Sequence, residues 1–207
     1  MGRRFVAVRR RDPYYRAARR EGWRSRAAFK LAYLDERFSI LPRGASVLDL
    51  GAAPGGWSLI ARERVGPQGH VVAVDPRRIE PIDGVQVIHG AAGDPATERR
   101  LAEDEFDTIL SDMSPRISGA YSTDHARSVE LARVALSVAQ RRLREGGSLV
   151  AKVFAGDMLD ELVDSWRPFF RRVDRTKPPA SREPSSELYL VGRGFHRSGS
   201  AAAGASR

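Results

Sequence analysis

The sequence predicts a doubly wound α/β domain: a mostly parallel seven-stranded sheet with helices on both faces and an antiparallel final strand pair. Three observations carry this. Short apolar runs rich in β-branched residues recur at 47–50, 71–74, 85–88, 106–111 and 148–154. Helical stretches at about 56–65 and 124–144 lie between several of them, as parallel neighbours require, and right-handed crossovers would put helices on each face. The last two runs, FFRRVDR and ELYLVG, have no helix of crossover length between them and read as an antiparallel pair at one edge.

In chain order, residues 1–22 show little apolar period and read as a basic arm, with at most a short helix around 13–21. The domain proper is expected over 23–193. It opens on a helix, RAAFKLAYLDERF, which Ser25 is placed to cap and to which Phe29, Leu31, Leu34 and Phe38 give an apolar side. Pro42-Arg43-Gly44 then turns the chain into the first strand. A further helix near 157–166 precedes the final pair. The stretch 194–207, GFHRSGSAAAGASR, is small and polar and predicts a disordered tail.

At 207 residues and 22.9 kDa the chain suits one domain. No apolar run reaches 18 residues, so no membrane helix is expected. The opening lacks the apolar core of a secretion signal, which points to the cytoplasm; being Arg-rich and poor in acids, it leaves a targeting role open. Without cysteine there are no disulfides or thiolate metal ligands, and with only four scattered histidines no metal is expected. The net charge of +9 is uneven: residues 1–30 carry +9, residues 166–207 carry +6, and the segment between carries −6. Basic ends around an acidic middle suggest a face for a polyanion, against the plainer reading of an arginine-rich composition.

VLDLGAAPGGWS (47–58) runs strand, tight turn, helix. Gly51 leaves the strand, Gly55 and Gly56 allow close backbone approach, and Asp75 closes the next strand where it can accept from a ribose hydroxyl pair. A dinucleotide fingerprint would want glycine where Ala53 stands. The spacing leaves adenosylmethionine and a dinucleotide both open, and Trp57 either walls the pocket or fills the helix–sheet layer. Four charges stand in or beside apolar strands: Asp112 after FDTILS, Lys152 inside SLVAKVF, Glu187 opening ELYLVG, and Lys30 in the helix before the first strand. Each has a plain reading as a surface or capping group. Together they converge on the carboxyl rim of the sheet, where open α/β folds bind ligands. Two lysines alternating with two carboxylates suit the activation of a hydroxyl that must lose its proton as it attacks.

Five stretches, GWRSRAAFKL (22–31), VLDLGAAPGGWS (47–58), SDMSPRISG (111–119), GGSLVAKVF (146–154) and KPPASREPSSELYLV (177–191), make the chain resemble the FtsJ/RrmJ family of ribosomal RNA 2'-O-ribose methyltransferases. The resemblance implies a Rossmann-like methyltransferase fold and S-adenosylmethionine as cofactor. It implies a catalytic tetrad of Lys30, Asp112, Lys152 and Glu187, with Lys152 taking the proton, and cofactor contacts from Gly55, Trp57, Asp75 and Asp112, to which the glycine turn adds Gly51 and Gly56. The expected partner is ribosomal RNA or the large ribosomal subunit, the target a uridine of its A-loop, and the working form a monomer; relatives that act on tRNA keep that substrate open, as does a non-catalytic role in ribosome assembly. Arg24, Arg26, Arg171, Arg172, Lys177 and Arg182 are the RNA-binding candidates. One departure stands out. Where the family has an acid for the adenine amino group, this chain has Ala91 in VIHGAAGDP, so either Asp94 or a backbone carbonyl takes over. Methylation at cytosine C5 through a cysteine nucleophile is excluded, since the chain has no cysteine.

Overall fold

The computed structural model describes residues 24–102, 104–181 and 186–197; the arm expected over 1–22, Arg182, and the tail from 198 onward lie outside the described residues. The chain forms α1 (Ala27–Phe38), β1 (Ser46–Leu50), α2 (Gly56–Val65), β2 (His70–Asp75), β3 (Val85–His89), α3 (Pro95–Leu101), β4 (Phe106–Ser111), α4 (Tyr121–Arg142), β5 (Leu143–Phe154), α5 (Leu159–Trp166), a 3-10 turn (Arg167–Phe169), β6 (Phe170–Thr176) and β7 (Glu187–Phe195). The seven strands are ordered β3-β2-β1-β4-β5-β7-β6. The first five are parallel, and β7 inserts antiparallel between β5 and β6. The order reverses between β1 and β4, which opens a crevice above their carboxyl ends.

Strand parity divides the core into two layers. Leu48, Val72, Ile109, Leu149 and Leu190 pack on α4 and α5, while their chain neighbours Val47, Val71, Leu110, Val150 and Val191 pack on α1 and α2. The same period puts Lys152 and Asp112 on the α1 side, two residues beyond Val150 and Leu110. Lys30 therefore reaches the same corner from α1. Lys30 is buried on that helix, as are Ala28, Leu31, Leu34 and Phe38, whereas Phe29, expected on the apolar side, is half-exposed.

Two expectations need correction, and one element was not foreseen. Ser25 does not cap α1: the N-cap is Arg26, with no side-chain cap bond, and the Ser25 carbonyl accepts from the Ala28 amide at 3.2 Å. Residues 194 and 195 are not tail. β7 runs on to Phe195, buried against Phe170, because an aromatic at the strand's end finds the open edge of the α4–α5 layer. The segment 95–101 is a short helix, capped by Asp94 with Pro95 at its first position, a signal readable in the sequence.

Candidate active site

Five side chains form a continuous bonded chain at the corner where β4, β5 and β7 end. Lys152 Nζ donates to the Asp112 carbonyl at 2.8 Å and lies 3.1 Å from Asp112 Oδ1. Tyr189 Oη donates to Asp112 Oδ1 at 2.9 Å, with Glu187 Oε1 at 3.4 Å. Glu187 Oε1 pairs with Lys30 Nζ and also accepts from Ser181 Oγ at 3.3 Å. The two lysines are 8% and 6% exposed, so each ammonium depends on its carboxylate partner to be tolerated there. All four predicted charges meet. Tyr189 is the member that sequence reasoning missed, although its separation of two from Glu187 on a strand places both on one face. Burial, and then the facing carboxylates of Asp112 and Glu187, push its phenol well above its ordinary value, so it stays a hydrogen donor.

The register explains this convergence. Lys152 is opposite Tyr189 and Phe154 opposite Glu187 in the β5–β7 pair. His125 of α4 then fixes the end of β5: its Nδ1 lies 2.9 Å from the Phe154 carbonyl and its Nε2 accepts from the Met158 amide at 3.1 Å. Ser128 Oγ adds an acceptor for the Phe154 amide at 3.0 Å.

Beside this corner a groove of about 670 Å³ lies over β1, β2 and β4, bordered by Gly51, Asp75, Arg77, Ala91, Asp112 and Lys152 among others. Gly51 has φ +74, and a Cβ on it would come within 2.7 Å of Met113 Cγ, so glycine keeps the first turn under the Asp112 loop. Asp75 is buried at the end of β2 and holds four donors. Oδ1 accepts from the Arg77 amide at 2.7 Å and Arg77 Nε at 3.1 Å; Oδ2 accepts from the Ala53 amide at 2.9 Å and Arg77 Nη2 at 3.1 Å. Burial alone would raise the carboxyl, but the bonds from Arg77 and Ala53 outweigh it and hold it below the usual range. Beneath the groove Asp49, fully buried in β1, accepts from Ser58 Oγ at 2.6 Å, while its Oδ1 has no hydrogen-bond partner. Burial pushes this carboxyl up to about 7.

Other predicted residues are placed elsewhere. Trp57 takes the core reading: it is 2% exposed, donates to the Ala27 carbonyl at 2.8 Å, and stacks 5.6 Å from Tyr189, behind the corner and away from the groove. Gly55 and Gly56 make room for the chain entering α1, since a Cβ would meet Ile82 and Arg24 at the first and Ser25 Oγ at the second. Asp94 Oδ2 caps α3 through the Ala96 and Thr97 amides at 2.9 and 3.3 Å and does not line the groove; Ala91 and Ala92 do. Arg24 is tied to the Glu80 and Pro81 carbonyls at 2.6 and 2.7 Å, and Arg26 to the Ala180 carbonyl, so both fasten backbone. Arg171 and Arg172 are exposed on β6, but β6 runs parallel to β5. They sit beside Gly194 and Arg193, at the opposite end of the sheet from the rim, which Lys177 adjoins. Among the described residues no group of three or more His, Asp or Glu could hold a metal, and no helix is long and apolar enough to cross a membrane.

A seven-stranded sheet of this order, with a buried acid at the end of β2 and a charged corner over β4, defines the architecture of Rossmann-like methyltransferases. A family model described as FtsJ-like methyltransferase matches residues 23–195, and the chain belongs to that family. Membership makes S-adenosylmethionine the methyl donor. The chain is 46% identical over 192 residues to a ribosomal RNA large subunit methyltransferase E of Methanocella arvoryzae, covering 92% of this chain and 75% of the relative. It is 42% identical over 200 residues to the protein of that name in Methanothermobacter thermautotrophicus, covering 94% and 95%. Among solved structures, a Plasmodium falciparum chain described as a ribosomal RNA methyltransferase superposes with a TM-score of 0.75 at 28% identity, over 84% of this chain and 98% of that one. Fibrillarin from Aeropyrum pernix, at 16% identity and a TM-score of 0.58, shares the fold.

Proposed function

We propose that the protein methylates a ribose 2'-hydroxyl of large-subunit ribosomal RNA, with a uridine of the A-loop as the target, acting as a monomer in the cytoplasm. The observation that carries the ribose chemistry is the Lys152–Asp112 contact at the rim of the groove. A neutral lysine has two N–H donors and one lone pair. Lys152 must therefore release one of its three ammonium protons before the attack; its other two N–H groups then face the Asp112 carbonyl and carboxylate, and the lone pair is left for the 2'-hydroxyl proton. S-adenosylmethionine held in the groove would supply an electrophilic methyl carbon to the 2'-oxygen and leave as the neutral thioether. Lys30 and Glu187, locked as a pair, offer a donor and an acceptor to the rest of the ribose. Asp112 orients Lys152 and stays hydrogen-bonded to Tyr189. Alignment of oxygen, carbon and sulfur supplies the remaining acceleration.

The groove fits this cofactor. Asp75 suits the ribose hydroxyls, Gly51 leaves room along the main chain, and Ala92, Leu131 and Val134 give adenine apolar walls. With Asp94 engaged as a helix cap, the adenine amino group is left to main-chain carbonyls. The relatives named for large-subunit ribosomal RNA favour that substrate over tRNA. Among the described residues only two large apolar side chains are exposed, too few for a dimer face, which supports the monomer.

The test is transfer of labelled methyl groups to large subunits from a host lacking the modification, followed by mapping of 2'-O-methyl sites. Lys152→Ala is expected to lower turnover by about 10²–10⁴-fold while the dissociation constant for S-adenosylhomocysteine stays within about twofold. Near-normal turnover in that variant would remove Lys152 as the proton acceptor.

A further inference from the structure

Among the described residues the two large apolar side chains open to solvent are Ile117, 64% exposed, and Tyr121, 61% exposed. Ile117 lies between Asp112 and α4 and Tyr121 is the first residue of α4, both next to the stretch that forms one lip of the groove through Met113, Pro115 and Arg116. This lip is tightly held. Asp124, in the first turn of α4, accepts from the Ser118 amide and hydroxyl at 2.8 Å each and from the Gly119 amide at 3.1 Å. Tyr121 is held as well: its Oη donates to the Ala155 carbonyl at 2.5 Å, and the Ala155 amide donates to the Ser186 carbonyl at 2.7 Å. Ala155 is three residues past Lys152, and Ser186 is next to Glu187. The ring is thus fastened by its hydroxyl to the corner that carries the reacting charges, with much of its surface left in solvent. Two exposed cations flank it on the chain, Arg116 and Arg127, with Arg127 Nη1 3.5 Å from the Arg116 carbonyl.

A rigid aromatic surface flanked by guanidinium groups suits an unpaired nucleobase and its phosphates. A protein partner would want a contiguous apolar area larger than two side chains. We propose that Tyr121, with Ile117 on the same lip, is a stacking platform for a base of the RNA substrate, next to the nucleotide whose ribose meets Lys152. The assignment rests on the RNA reading above. Stacking tolerates any base, so the platform presents the target nucleotide without choosing its sequence.

Three variants test it: Tyr121→Ala, Tyr121→Leu, which keeps bulk without a flat face, and Tyr121→Trp, which keeps the face. The probes are assembled large subunits lacking the methyl group, their protein-free RNA, and S-adenosylhomocysteine. The Ala and Leu variants are expected to raise KM for the subunit, and to weaken filter binding of the protein-free RNA, by about tenfold. Turnover at saturation and S-adenosylhomocysteine binding should stay within about twofold, and Trp should restore the parent values. The proposal is overturned if the Leu variant binds protein-free RNA as the parent does. It is also overturned if Trp loses as much as Leu, or if only binding to the assembled subunit suffers, which would point to a ribosomal protein. Should the parent transfer no methyl group at all, the RNA-binding arm still decides: loss in Leu with rescue in Trp sustains the platform and sinks only the reaction.

Discussion

The charged corner and the groove proposed for the cofactor share one edge of one sheet but are built on opposite terms. In the corner, every charge already has its partner within the chain, from Lys30 through Glu187, Tyr189 and Asp112 to Lys152. In the groove, the four lone-pair positions of the Asp75 carboxylate are filled by four N–H groups, two of them from the exposed side chain of Arg77. On the proposed function, the corner is preset for its chemistry, whereas the groove must exchange bonds before a ribose can be held. Geometry that determines a reaction step is best locked, and a site that loads and unloads a cofactor is best closed by something cheap to move.

Three perturbations sharpen this contrast, from the largest effect to the smallest. Asp49 lies under the groove with its carboxyl raised to about 7. A carboxyl whose folded value exceeds its unfolded one binds its proton more tightly when folded. Its stabilising contribution is therefore complete below about pH 4 and drains as pH rises to 7, by on the order of 4 kcal/mol. Asp49→Asn should flatten that part of the denaturation profile measured from pH 5 to pH 8.5; an unchanged slope would mean Asp49 is already ionised in the fold. The second concerns Arg77. Its ion pair with Asp75 is exposed on the arginine side and is worth about 0–1 kcal/mol. Calorimetry should show Arg77→Ala binding S-adenosylhomocysteine up to about fivefold more tightly, and Asp75→Asn binding it more weakly. Weaker binding in the arginine variant would mean that Arg77 holds the cofactor instead of giving way to it. The third separates groove from scaffold. Asp94→Ala should leave cofactor affinity unchanged while costing about 1 kcal/mol of stability through the lost α3 cap. A drop in affinity without a drop in stability would return Asp94 to the adenine.

The sheet was legible because its signal is local: β-branched runs with a period of two, broken by glycine turns and helical stretches. The tetrad was legible for a related reason, since a charge inside an apolar strand such as SLVAKVF has few places to go. Which way a side chain faces once distant segments pack was not legible in other places. Trp57 was expected at the cofactor and instead supports Tyr189, because which side of α2 meets the α1 layer depends on how two helices pack. Arg171 and Arg172 were expected near the RNA-facing rim, but the placement of β6 beyond β7 carries them to the far end. Asp94 caps α3, and that role was readable, for Asp-Pro before a helical stretch is a cap signal.

By itself, then, the sequence determined the strands, the glycine turn and the four charged residues of the corner, since burial and backbone preference act over a few residues at a time. Only the tertiary structure decided that Tyr189 joins those charges, that Arg77 closes Asp75, and that Tyr121 stands open while bonded to the Ala155 carbonyl just past β5. Each of these depends on strand register or loop closure between residues far apart in the chain, and no local pattern specifies such distances.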